Sequence, residues 1–149
     1  MTAPATTQSE VELYNLIKNH ISDILFAEAG NNSHMHLYYT GKYWVAFEQS
    51  AFKLSLVYTD TALFPMKIAN VPFPIVMASI ESDKILTATK GLTCMERSIR
   101  KRIYEVKGIT SNASFRRWHN KKTKDLLNAL STIQKNTDTP KHTLKTGII

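Results

Sequence analysis

A chain of 149 residues, 43% hydrophobic and 21% charged, has room for one globular domain and a short appendage. Its one cysteine, Cys94, excludes a disulfide framework and a multi-thiolate zinc site. No apolar run is long enough to span a bilayer, and Met1–Thr7 has neither the basic start nor the apolar stretch of a leader, so a cytoplasmic protein is expected. The net charge of +7 is split. Residues 1–84 hold five Lys and eight Asp/Glu, whereas residues 85–149 hold nine Lys, five Arg and four Asp/Glu. Every arginine lies between Arg97 and Arg117. Such a carboxyl-terminal excess suits a polyanionic partner or a solvated tail.

Four segments are expected: a disordered lead-in over 1–8, an α/β domain over 9–90, a basic helical extension over 91–135 and a flexible tail over 136–149. Ser9-Glu10-Val11-Glu12 reads as a capping box, and Leu13, Ile17, Ile21 and Ile24 continue it as an amphipathic helix that stops at Gly30. Met35–Tyr39 and Tyr43–Phe47 flank Gly41 as a hairpin. Ala51, Leu54, Ser55 and Tyr58 share a short helix face. A third strand is expected over 66–71, a helix after Pro74 through Ile75, Met77, Ala78 and Ile80, and a fourth strand over 85–89. Met95, Ile99, Ile103 and Val106 recur at helical spacing opposite Arg97, Arg100, Lys101 and Arg102, which predicts a basic helix closed by Gly108. A second basic helix, Phe115–Lys135, is capped by Asn112 or Ser114 and exposes Arg116, Arg117, Lys121, Lys122 and Lys124. The expected class is α+β, two-layered, with a small mixed or antiparallel sheet and two carboxyl-terminal basic helices.

Few residues offer chemistry. The scattered glycines write neither a Walker loop nor a dinucleotide fingerprint, and there is no nucleophile elbow. Cys94 reads as a small packed thiol. His34 and His36 share one strand face but have no third ligand nearby, so no metal is expected. Glu81 and Asp83 beside Lys84 sketch a cation-dependent nuclease, with a solvated turn as the simpler reading. Neither enzyme activity nor a cofactor is expected. The densest feature is aromatic: Tyr38, Tyr39, Tyr43, Trp44 and Phe47 around the Gly41 turn. These are core residues in the main, with one ring left to stack on a base.

The run His36-Leu37-Tyr38-Tyr39-Thr40-Gly41-Lys42-Tyr43-Trp44-Val45-Ala46-Phe47-Glu48-Gln49-Ser50-Ala51 resembles the amino-terminal mismatch-recognition domain of the MutS DNA-repair family. Pro65-Met66-Lys67-Ile68-Ala69-Asn70-Val71-Pro72-Phe73 resembles that domain's second signature, and the likeness extends over residues 9–90. It implies DNA binding with Tyr43 in the place of the family's wedging Phe. Val45 stands where the family has its base-reading Glu, Lys42 where it has Asp, and Asn70 where it has Gly, so the polar half of mismatch reading is missing. The ATPase, lever and clamp of the family have no counterpart in these residues.

The leading expectation is a non-enzymatic DNA-binding module. Phosphates would be held by Arg97, Arg100, Lys101, Arg102, Arg116, Arg117, Lys121, Lys122 and Lys124, with Lys42 and Tyr43 at the turn. The alternative is a protein-interaction or structural module on the same fold, with a partner protein or a second copy bound instead and no membrane involved.

Overall fold

The computed structural model describes residues 7–108 and 111–135, with side chains described to residue 129. Helix α1 (Gln8–Glu28) leads into strands β1 (His34–Tyr39) and β2 (Tyr43–Phe47), then helix α2 (Glu48–Val57). Strands β3 (Ala62–Met66) and β4 (Ile75–Glu81) follow, then a 3-10 turn (Ser82–Lys84) and the short helix α3 (Ile85–Ala88). Strands β5 (Thr93–Arg97) and β6 (Lys101–Glu105) precede the long helix α4 (Asn112–Lys135). The strands form one antiparallel sheet in the order β3-β4-β2-β1-β6-β5, three hairpins laid side by side. The α+β class holds. No helix among the described residues is long and apolar enough to cross a membrane.

Helices cover both faces of the sheet, so the two expected layers are three. Strand alternation sends Val45, Phe47, Ile75 and Met77 to one side, where they pack with Ile17 and Ile24 of α1. It sends Met35, Leu37, Trp44, Ala46, Ala78 and Ile80 to the other, against Ala51 and Leu54 of α2 and Ile85 of α3. Trp118 of α4 packs on the rim of that second core. Met35, Leu37 and Phe47 lose all contact with water, a burial worth about 1.5–3 kcal/mol each.

Several predicted elements change identity. The cap of α1 is Thr7, whose hydroxyl accepts the Glu10 amide at 3.1 Å. Ser9 instead turns inward, its hydroxyl 3.4 Å from that of Thr40. The strand expected over 66–71 sits earlier, as β3, and Ile68–Val71 closes a turn in which Asn70 takes φ +69°. Ile75–Glu81 is a strand, not a helix: it lies between β2 and β3 with both faces covered, so its apolar run carries no alternation. The strand expected over 85–89 is one helical turn, α3. The basic helix expected through Met95–Val106 is the β5–β6 hairpin. β6 pairs with β1 from His34↔Glu105 to Tyr38↔Lys101, so residues 93–105 complete the sheet and the division at residue 90 falls inside it. Of the lead-in expected over 1–8, Thr7 and Gln8 belong to the start of α1, while residues 1–6 and the tail over 136–149 lie outside the described residues.

A buried polar knot ties α1 to α2. Phe47, the residue that caps α2, has no side-chain hydrogen bond to give. The Glu28 carboxylate supplies it from α1: it accepts the Ser50 amide at 2.8 Å and the Ser50 hydroxyl at 2.6 Å. Asn31 Nδ2 donates to Glu28 at 3.3 Å, and Lys53 Nζ donates to the Asn31 carbonyl at 2.8 Å. Lys53 and Ser50 have no exposed surface. Burial pushes the Glu28 carboxyl up to about 7 against the pull of these donors and of Lys53, and the Lys53 ammonium is held below its usual range by its own burial.

Gly41 makes the first hairpin possible. It holds φ +97°, and a Cβ there would stand 2.9 Å from Glu12 Oε2. Gly41→Ala is expected to cost about 1–2 kcal/mol from the left-handed backbone alone, read as a lowered urea midpoint at unchanged slope.

Candidate nucleic-acid interface

The turn between β5 and β6, Arg97-Ser98-Ile99-Arg100-Lys101-Arg102, has no Gly, Asn or Pro. Ser98 stands in for them. Its amide donates to the Lys101 carbonyl at 2.8 Å, and its hydroxyl accepts the Lys101 amide at 3.1 Å. The Arg100 carbonyl then accepts the Tyr39 amide at 2.9 Å, which fixes the turn to the end of β1. A rigid ribbon results, with four cations in six residues.

These cations divide between the faces of the sheet. Arg97 and Arg102 are cross-strand partners on the α2 side. Arg102 lays its guanidinium 4.6 Å from the centre of the Trp44 ring, and Trp44 in turn packs on Tyr39 at 5.1 Å. With Ile99 and Leu86 they line a cleft of about 440 Å³, with Asp83 at its margin. Like charges directly opposite on a ladder repel. Among the described residues no carboxylate comes within 4.0 Å of Arg97, Lys101 or Arg102, and Arg102 Nε is buried without a hydrogen-bond partner. On the α1 side, the exposed Arg100 meets the largely buried Glu12 carboxylate at 3.5 Å, and Lys101 lies 5.8 Å from the Tyr38 ring. Burial first and Lys101 second push the His36 imidazole down to about 4, so it is neutral at pH 7.

The Gly41 turn leaves the same end of the sheet, where the Lys42 carbonyl accepts the Ser82 amide at 2.9 Å. Lys42 is exposed and Tyr43 is 40% exposed. Tyr43 nevertheless faces away from the Arg97–Arg102 cleft. It lies on the α1 side and lines a groove of about 620 Å³ with Leu13, Val45, Phe64 and Met77, next to the outer strand β3. Val45, at 2% exposure, is buried beneath α1 at the floor of this groove.

Arg116, Arg117, Lys121 and Lys124 are exposed on α4 and Lys122 is half-buried, while Phe115, Trp118 and Thr123 turn inward. This helix packs on α2 and over β3 and β4. The sheet order therefore places its cations at the opposite edge from β5 and β6. The sequence-predicted phosphate ligands make two surfaces, not one. Sequence reasoning missed Trp44, Tyr39 and Ile99 as members of the first surface. Trp44 next to a turn rich in arginine elsewhere in the chain gives no local signal, because only the β1–β6 pairing brings them together. His34 and His36 do share a face, with ring centres 6.4 Å apart, and among the described residues no three His, Cys, Asp or Glu gather as a metal site. Comparison with family models, curated proteins and solved structures finds no match for this chain.

Proposed function

We propose that this chain is a nucleic-acid-binding module that holds phosphates and performs no chemistry. The observation that carries the reading is the β5–β6 ribbon: Arg97, Arg100, Lys101 and Arg102 sit on one hydrogen-bonded turn, three of them with no carboxylate within 4.0 Å among the described residues. The exposed cations of α4 form a second contact surface on the other side of the fold. Val45 lies in the core, so the base-reading step that a MutS-like domain performs forms no part of the proposal.

The test is fluorescence anisotropy of labelled duplex, mismatched duplex and single strand at 50 and 200 mM salt. Affinity for duplex is expected to fall steeply with salt. Arg97→Gln/Arg100→Gln, which spares the packed Arg102, is expected to weaken binding and to flatten the log–log salt slope by about 2, as roughly 0.9 is lost per phosphate contact. Absence of binding at low salt would overturn the reading.

The groove at Tyr43 favours a second one. Tyr43 and Phe64 are each at least 40% exposed beside β3, the sheet's outer strand, and an extended peptide can add to such an edge. A chain that ignores nucleic acid and captures an apolar extended peptide there would be a protein-interaction module.

A further inference from the structure

One residue of the ribbon does not fit a role in phosphate binding. Ile99 is 88% exposed, the most exposed large apolar side chain among the described residues, and it occupies the tip of the β5–β6 turn. Scattered exposed apolar residues are ordinary on protein surfaces. Three features separate this one. Turn positions usually take Gly, Asn, Asp or Ser, and nothing in the backbone here demands isoleucine. The turn is rigid, because Ser98 and Lys101 bond to each other and Arg100 bonds to β1, so the side chain is presented in one place. Finally, the four cations of the ribbon flank it on both sides.

We propose that Ile99 is an apolar wedge: the ribbon tip enters a DNA duplex from the minor groove and Ile99 separates two stacked base pairs, while Arg97 and Arg100 hold phosphates to either side. This rests on the nucleic-acid reading above and names its partner as double-stranded DNA that can be kinked. A narrow groove of about 6 Å admits a hairpin tip, though not the full ribbon. Apolar wedges cost a few kcal/mol of stacking at a step, and the backbone contacts made on the bent duplex repay it. The favoured target is therefore a pyrimidine–purine step, the easiest to unstack. Isoleucine has no hydrogen-bonding group, so the wedge discriminates by deformability rather than by base edge.

The experiment uses the full chain and a 20-base-pair duplex with a central TA step, 2-aminopurine beside that step and a donor–acceptor pair at its ends. Wild type is expected to raise 2-aminopurine emission and bring the ends together. Ile99→Ala is expected to abolish both signals and lower affinity roughly three- to tenfold, with the salt slope unchanged because no phosphate contact is lost. Its melting temperature should stay close to wild type, since the side chain is almost wholly exposed. Arg97→Gln/Arg100→Gln should show the opposite pattern, a flatter slope. If wild type and Ile99→Ala bind and bend the duplex alike, the wedge is overturned while the nucleic-acid reading stands. If wild type does not bind duplex at all, that reading fails first. Binding of phosphatidylserine vesicles that needs Ile99, without duplex binding, would overturn the proposal in favour of a membrane-inserting tip.

Discussion

Glu28→Leu is expected to lower the unfolding free energy by about 3–5 kcal/mol at pH 7, because it leaves several buried donors without an acceptor at about 1–3 kcal/mol each. It would strip the Ser50 amide and hydroxyl of their acceptor and leave the Lys53 ammonium in the core without a counter-charge. Glu28→Gln keeps an acceptor oxygen for Ser50 and should cost only about 1–2 kcal/mol. Wild type should also weaken with rising pH. The Glu28 carboxyl titrates near 4.5 when unfolded and near 7 when folded, so its contribution is complete below 4.5 and is lost as pH rises through 7. A decline of roughly 2–3 kcal/mol between pH 4.5 and 8 follows. Lys53, shifted down, acts with the opposite sign on the way from 10.5 downward. Urea unfolding at a series of pH values checks both; Glu28→Gln should flatten the acid-to-neutral slope.

The second large effect concerns α4. Its hold on the sheet is concentrated in one clasp of aromatic contacts and a hydrogen bond: Trp118 lies 4.9 Å from Phe52, Phe115 lies 6.0 Å from Trp118, and His119 Nε2 is 2.9 Å from Glu48 Oε1. The same Glu48 oxygen accepts the Val76 amide at 2.8 Å, so α2, α4 and β4 meet at one carboxylate. Trp118→Ala is expected to cost about 3 kcal/mol and to spend it locally. Residues after 111 should become sensitive to trypsin at Arg116 and Arg117 while the sheet's circular dichroism persists. Simultaneous loss of both signals would mean that α4 and the sheet unfold as one unit. Because α4 carries the second basic surface, this variant also separates the contribution of that surface to nucleic-acid affinity from that of the ribbon.

Where period and punctuation agree, the chain's elements are legible from residues alone. Leu13, Ile17, Ile21 and Ile24 do form the inward stripe of α1, Gly41 does turn the first hairpin, and the residues expected as the last helix, Phe115–Lys135, are helical in α4. The failures have physical causes. Ile75–Glu81 lies in the middle of a sheet with helices on both sides, so burial is set by neighbours and the two-residue period is erased. Met95, Ile99, Ile103 and Val106 imitate a helical stripe by coincidence. In the fold, Met95 sits at a bulge, Ile99 at a tip, and Ile103 and Val106 point to opposite faces. The turn that separates them hides because Ser98 uses its hydroxyl where glycine or asparagine would have announced it. The Glu28–Lys53 knot left one visible trace, a lysine inside the apolar run Ala51-Phe52-Lys53-Leu54. Its partner is 25 residues away on another helix, and no local pattern joins them.

The pairing of β1 with β6 has a consequence for how the molecule is born. His34 finds Glu105 across 71 residues of chain. Closing so long a loop is entropically slow, and local hairpins form ahead of it. On a ribosome, β1 through β4 can assemble while β6 is still unmade, with the outer edge of β1 bare and its amides open to any passing strand. The arginine-rich ribbon seals that edge. The part of the chain proposed to meet DNA is thus also the last stitch in the sheet, and until it closes the nascent protein is exposed to edge-to-edge aggregation.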